Sequence, residues 1–340
     1  MSKRIRILFA IALFFVVMAA CVCVGSVSIS VSDTLSIIRH KLFGSALPEA
    51  LDASLIPILW EIRMPRAFAA FLVGGALSVS GAVIQALLQN PLASSYTLGV
   101  SSGASLGAAL VIVTELTLPV LGMFLLPASG FFFAVITILF VIFFSSKLDH
   151  NLQNHTIILF GMVFSLFINA ILTLLSALYK SHMQRLILWQ MGSFSGRRWS
   201  HVGILLVCIL IGLLCLLPFH RELDMLTFGE EQSMAMGVDT KKTKIILLIL
   251  SSLLTGVSVC FTGVIGFIDL TVPHLVRRIF GSAHRYTLPL SMLVGGMLMA
   301  LADLVSRTLI APQEIPVGAV TALLGAPFFL WVYFHPGRSK

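Results

Sequence analysis

Long apolar segments separated by short polar breaks make up most of this chain. Stretches near 7–25, 66–88, 97–116, 122–145, 155–178, 201–219, 243–264, 286–306 and 315–334 are each long enough to cross a hydrocarbon core of about 30 Å as helices. A tenth, near 266–280, is shorter and carries Pro273. The pattern predicts an all-α, polytopic membrane protein with about ten transmembrane helices. The largest polar interruption runs from Phe219 to Lys244 and holds Arg221, Glu222, Asp224, Glu230, Glu231, Asp239, Lys241, Lys242 and Lys244. A segment of that size buries too little apolar surface to form a core of its own, so it must rest on the membrane surface or on a partner.

Smaller elements follow from local spacing. Between the first two spans, Asp33 to Lys41 alternates at helix-like intervals and predicts a helix lying along the surface. Arg63-Met64-Pro65-Arg66 sets two cations around a proline that can open a helix, since a first-turn residue has no hydrogen bond to lose. Snorkelling arginines at the interface would account for the pair as readily as a binding role. That helix runs through Gly74, Gly75 and Gly81 to Gln85 and stops at Asn90-Pro91-Leu92. In Gly99 to Gly107 glycine recurs every four residues, which marks a close-packing helix face. Within the polar run, Gly229 to Gly237 reads as a short helix with Glu230 and Glu231 in its first turn and Gly237 as a left-handed stop. Met234 and Met236 have no core to enter there, and adaptable methionines suit a groove on another protein.

Composition agrees with the pattern. Apolar residues make up 58% of 340 and charged residues 11%, too little polar surface for a soluble globule. Lys3, Arg4 and Arg6 ahead of the first span resemble a secretory signal, and Met18-Ala19-Ala20-Cys21 resembles a lipoprotein cleavage site. The spans that follow favour retention of this first segment as a helix. With the N-terminus inside and ten crossings, thirteen Lys and Arg fall inside and nine outside, which favours cytoplasmic termini. The outside cations, Arg63, Arg66 and Arg307 among them, then call for an acidic partner. Arg307 lies four residues after Asp303, the spacing of a same-face ion pair. The five cysteines show neither metal-ligand nor disulfide spacing, and nothing points to nucleic acid.

No P-loop and no His-Glu-x-x-His motif occurs, so the chain carries neither a recognisable ATP-hydrolysing loop nor a zinc-hydrolase motif. Asp269, His274 and Asp303 are the main ionisable candidates within the spans, a thin inventory for a proton relay. Energy for any transport is expected from outside the chain.

Arg63 to Arg66, Gly74 to Gln85, Asn90-Pro91-Leu92-Ala93, Leu98 to Ala104, Trp189-Gln190-Met191-Gly192-Ser193, Gly229 to Val238, Gly263 to His274 and Pro316 to Pro327 occur in the order found in one family. Through these motifs the chain resembles the permease subunits of iron-siderophore and vitamin B12 ABC importers over nearly its whole length. The resemblance implies the type II importer permease fold as a single domain over 1–340, with a cytoplasmic coupling loop at about 220–242. It implies a bacterial inner-membrane protein that pairs with a second permease copy or a homologous permease and needs no cofactor or metal. It also implies an ATP-binding cassette ATPase dimer on one side and an extracytoplasmic siderophore-binding protein on the other. Arg63, Arg66 and Arg307 correspond to positions that dock the binding protein. Gly229, Glu230, Glu231, Met234, Met236 and Gly237 correspond to the ATPase-coupling segment. Asn90, Leu92, Asn154 and His155 correspond to the cytoplasmic gate. Ferric siderophore is the expected cargo, with vitamin B12, cobinamide or haem as alternatives and a proton-coupled carrier as the reading from another class. One departure is Asp269, where the family commonly has glycine. Its carboxylate is expected to face a helix end, an amide or water.

Overall fold

A computed structural model describes residues 3–25, 27–49, 51–119, 122–149 and 151–334. Among the described residues the regular elements are all helical, the α-helices in the order α1 (Lys3–Cys23), α2 (Val31–Phe43), α3 (Leu55–Pro57), α4 (Met64–Leu87), α5 (Val100–Thr114), α6 (Leu125–Leu148), α7 (Asn154–Leu178), α8 (Met183–Gln190), α9 (Trp199–Leu216), α10 (His220–Leu226), α11 (Glu230–Ala235), α12 (Thr240–Thr262), α13 (Ile268–Phe280), α14 (His284–Thr308) and α15 (Val317–Phe334). Seven helical stretches among the described residues are long and apolar enough to cross a membrane: Lys3–Cys23, Leu55–Leu87, Gly122–Leu148, Asn154–Leu178, Trp199–Leu226, Thr240–Thr262 and His284–Thr308. That is fewer than the ten expected from hydropathy. α5 has 15 residues and α13 has 13. At 1.5 Å per residue each spans only about 20 Å, short of the hydrocarbon thickness.

α4 is the buried axis of the bundle. Almost every residue from Met64 to Leu87 is buried, and α12, α13 and α14 pack directly against it. Small residues make this possible, because in lipid the helices gain from close approach rather than from hydrophobic sequestration. A methyl group on Gly74 would lie 2.5 Å from the Gly295 carbonyl oxygen on α14, and one on Gly81 would lie 1.9 Å from the Asp269 carbonyl oxygen on α13. The repeat in α5 has the same purpose: methyl groups at Gly103 and Gly107 would meet the α6 backbone at Phe133 and Ser129 at 2.8 and 2.4 Å.

The proline at the start of α4 differs from expectation. α4 does not begin the helix; it continues a stretch that opens at Leu55 and passes through a π-helical segment, Ile58–Arg63. The wide π turn sits where Pro65 offers no amide, so the chain stays helical without that bond. α2 does form, with the Ser30 hydroxyl accepting from the Asp33 amide and Gly44 closing it at φ 66°. Only Thr34 and Ile37 of α2 are buried, as a surface-lying helix requires.

Three family motifs far apart in sequence meet through backbone. Ser193 N–H donates to the Thr262 carbonyl at 2.8 Å, and the Val317 and Gly318 amides donate to Gly192 and Met191 at 3.3 and 3.2 Å. Gly263, at φ 75°, passes so close to Trp189 that a methyl group would lie 2.0 Å from its carbonyl oxygen. These residues tie α8, α12 and α15 together.

Replacing Gly81 with alanine should lower stability by about 1–3 kcal/mol, the usual cost of overpacking. Gly203→Ala, with open space around it, should leave the thermal midpoint in detergent unchanged or higher.

Candidate functional site

Polar side chains concentrate at the two ends of the bundle. At one end, Arg66 is 6% exposed and fully engaged. Its Nε donates to both Asp303 oxygens at 3.0 Å, Nη2 to Asp303 Oδ1 at 2.9 Å, and Nη1 to Glu314 Oε1 at 2.6 Å. Arg63 Nη1 donates to the Cys23 carbonyl at 2.8 Å, and its Nη2 to Val27. Arg307 donates to the Cys21 carbonyl, with its Nε 3.7 Å from Asp303 Oδ2. The three arginines therefore do converge, but not as snorkelling groups at an aqueous boundary. The open carbonyls where α1 ends attract two of them, and Asp303 and Glu314 attract the third. Asp303 does face Arg307, as the four-residue spacing predicts, yet its closest partner is Arg66, across the α4–α14 seam. Glu314 is a partner that no local pattern announces, since it lies 248 residues from Arg66.

The other end holds the polar loop. α11 occupies Glu230–Ala235, with Glu230 and Glu231 in its first turn, and Gly237 takes φ 89°. Met234 and Met236 are 53% and 49% exposed. Phe228, two residues before α11, is 67% exposed and was not singled out from sequence. Glu231 points to solvent, whereas Glu230 turns inward to Lys244 at 2.5 Å. The loop is internally bound: the Ser233 hydroxyl bonds the Met225 and Gly229 carbonyls, and the Val238 amide donates to Ser233. It is also fastened to the bundle. Asp224 Oδ1 accepts from the amide and Nδ1 of His284 at 2.9 and 2.6 Å, which places an anion at the N-terminus of α14. Gln89 Nε2 donates to the Leu226 carbonyl at 2.8 Å.

Three of the four gate candidates border two separate hollows, and Leu92 lines neither. Asn90 lines a cavity of about 460 Å³ together with His274, Arg277 and His284. Asn154 and His155 line an open cleft of about 830 Å³ against α11. Gln89, at φ 50°, borders both. Leu92 is 53% exposed, and its amide donates to the Asn90 side chain at 2.9 Å. Asp149, between α6 and α7, accepts from the Asn151 and Gln153 amides, which hold its carboxyl below the usual range.

Asp269 occupies the first turn of α13, a helix end as expected, where the macrodipole offsets part of its charge. Both carboxylate oxygens are buried, and among the described residues neither has a hydrogen-bond partner.

The sequence matches the FecCD transport family model over residues 11–335. The chain belongs to the FecCD transport family. Among its relatives, the uncharacterised ABC transporter permease YvrB of Bacillus subtilis is 41% identical, the match covering 93% of this chain and 89% of that protein. The hemin transport permease HmuU of Yersinia pestis is 38% identical, covering 83% and 85%. The cobalamin import permease BtuC of Halobacterium salinarum is also 38% identical, covering 81% and 73%. A solved structure assigned provisionally to the metal-chelate type of ABC transporter, in an inward-facing conformation, superposes with a TM-score of 0.84 at 30% identity, covering 97% of this chain and 99% of that one. This FecCD-family chain is thus a multi-pass membrane permease of the ABC transporter class.

Two outcomes follow from the buried charges. Arg66→Met, which strands Asp303, should cost about 3–5 kcal/mol, and the double variant Arg66→Met/Asp303→Leu should recover most of it. Asp269→Ala removes an unpartnered carboxylate and should raise stability by about 1–3 kcal/mol. Thermal melts of the purified protein in detergent read both.

Proposed function

We propose that this chain is the permease subunit of a bacterial inner-membrane importer for ferric siderophores, driven by separate ATPase subunits. The observation that carries the reading is α11: a short helix with exposed Met234, Met236 and neighbouring Phe228 on a chain otherwise built for lipid. An apolar patch of this kind, bound to the bundle by Asp224, Gln89 and Glu230, suits a groove on an ATP-binding cassette ATPase dimer. Residues 220–242 form the coupling loop of one permease domain over 1–340, with ten crossings, cytoplasmic termini and a second permease copy or homologue completing the pathway. Nucleotide binding that favours one arrangement of the ATPases would bias which side of the permease is open.

At the opposite end an extracytoplasmic siderophore-binding protein docks over Arg63, Arg66 and Arg307. Glu314, 39% exposed in its side chain, is the carboxylate that an incoming acidic side chain would displace from Arg66. Asn90 and Leu92 with Asn154 and His155 close the pathway beside the coupling loop. The kinship to a metal-chelate transporter supports the choice of cargo, and the hemin and cobalamin permeases among the relatives supply the second reading.

Uptake by a deletion strain carrying the gene on a plasmid, with its ATPase and binding protein, tests both readings. Radiolabelled ferrichrome, a ferric hydroxamate siderophore, should accumulate, survive a protonophore while ATP stays high, and stop when ATP is depleted. Accumulation of haemin or cyanocobalamin instead would select the second reading. Uptake that collapses with the proton gradient alone would contradict ATP-driven import.

A further inference from the structure

Lys244 is fully buried, near the start of α12, and its ammonium joins two other elements. It donates to Glu230 Oε1 at 2.5 Å, the first residue of α11, and to the Leu152 carbonyl at 2.9 Å, in the turn before α7. That turn is itself a built object. Asp149 gathers the Asn151 and Gln153 amides and accepts the Leu152 amide on its own carbonyl, while Leu152 sits at φ 52° with its side chain fully buried. Asn154 and His155 begin the helix that follows. Between this turn and α11 lies the open cleft of about 830 Å³. Among the described residues no hydrogen bond crosses it from α11 to the turn; the polar connection passes through the Lys244 ammonium below it.

A charged lysine without surface exposure cannot give up a partner cheaply, because the lost bond leaves a charge out of water. Both partners are segments that are stiff in themselves, α11 through Ser233 and the turn through Asp149. Movement of either therefore pulls on the other.

We propose that Lys244 is the positioning residue that makes α11 and the start of α7 move as one body, so that displacement of the coupling loop reaches Asn154 and His155. The inference rests on the ATP-driven reading of α11, and it goes beyond that reading by naming the route from the loop to the gate. Lys244 touches neither nucleotide nor cargo; it acts through Glu230 and Leu152.

The test uses the full permease with its ATPase subunits in nanodiscs, in a cysteine-free background, with spin labels at Gln232→Cys on α11 and Asn151→Cys on the turn. With Lys244 intact, the distance between the labels should be the same with and without a non-hydrolysable ATP analogue. In Lys244→Met, and separately in Lys244→Ala, the analogue should shift and broaden that distance while ATPase subunits still co-purify. Melting alone would not separate this from a purely structural role; the nucleotide-dependent distance does. Unchanged distances in both variants, in both nucleotide states, would overturn the link and leave the importer reading intact. A wild-type chain that retains no ATPase subunit would overturn the importer reading and the link with it.

Discussion

The seam between α4 and α14 is the constraint on which the rest of the chain depends. Inside lipid there is no hydrophobic gain from pressing two helices together, so contact must come from small residues and from satisfied polar groups. Gly74, Gly75, Gly295 and Gly296 let the two backbones close to a distance that no side chain would permit. Arg66 and Asp303 then fasten the seam at one end with hydrogen bonds of 2.9–3.0 Å. Because α12 and α13 also lie on α4, this one pairing fixes where the coupling loop and the hollows beside it can sit.

The two ends use charge differently. At the Arg66 end, Arg66 and Arg307 pair with carboxylates while Arg63 is held by backbone carbonyls alone, and Glu314 keeps a partial opening to solvent. At the Lys244 end, the buried charges turn inward and anchor a loop whose outer surface is left apolar. A segment that is rigid within itself, held at three points and exposed through Phe228, Met234 and Met236 is suited to passing on a displacement. The bundle behind it supplies no ATP-hydrolysing motif.

Much of this was legible in the residues. Long apolar runs gave the helices, the glycine spacing in α5 gave a packing face that α6 occupies, and Gly237 marked a left-handed stop that holds. Helix length was less legible, because hydropathy cannot tell a 15-residue apolar helix such as α5 from the core of a longer one. The partners of the buried charges were not legible. Local spacing could offer Arg307 for Asp303, but the stronger contact comes from Arg66, more than two hundred residues away, and it exists only once α4 and α14 have packed. The same holds for Lys244, which reads as one more cation in a polar run until Glu230 and the Leu152 carbonyl close around it.

The central claim is that α11 faces the cytoplasm as a handle for an ATPase. Labelling of Met236→Cys by a membrane-impermeant maleimide, in a chain whose five native cysteines are replaced, tests it most directly. Reaction in inside-out vesicles, absence of reaction in intact cells, and protection by added ATPase subunits are the predicted result. Reaction from the outer surface of intact cells would contradict the account.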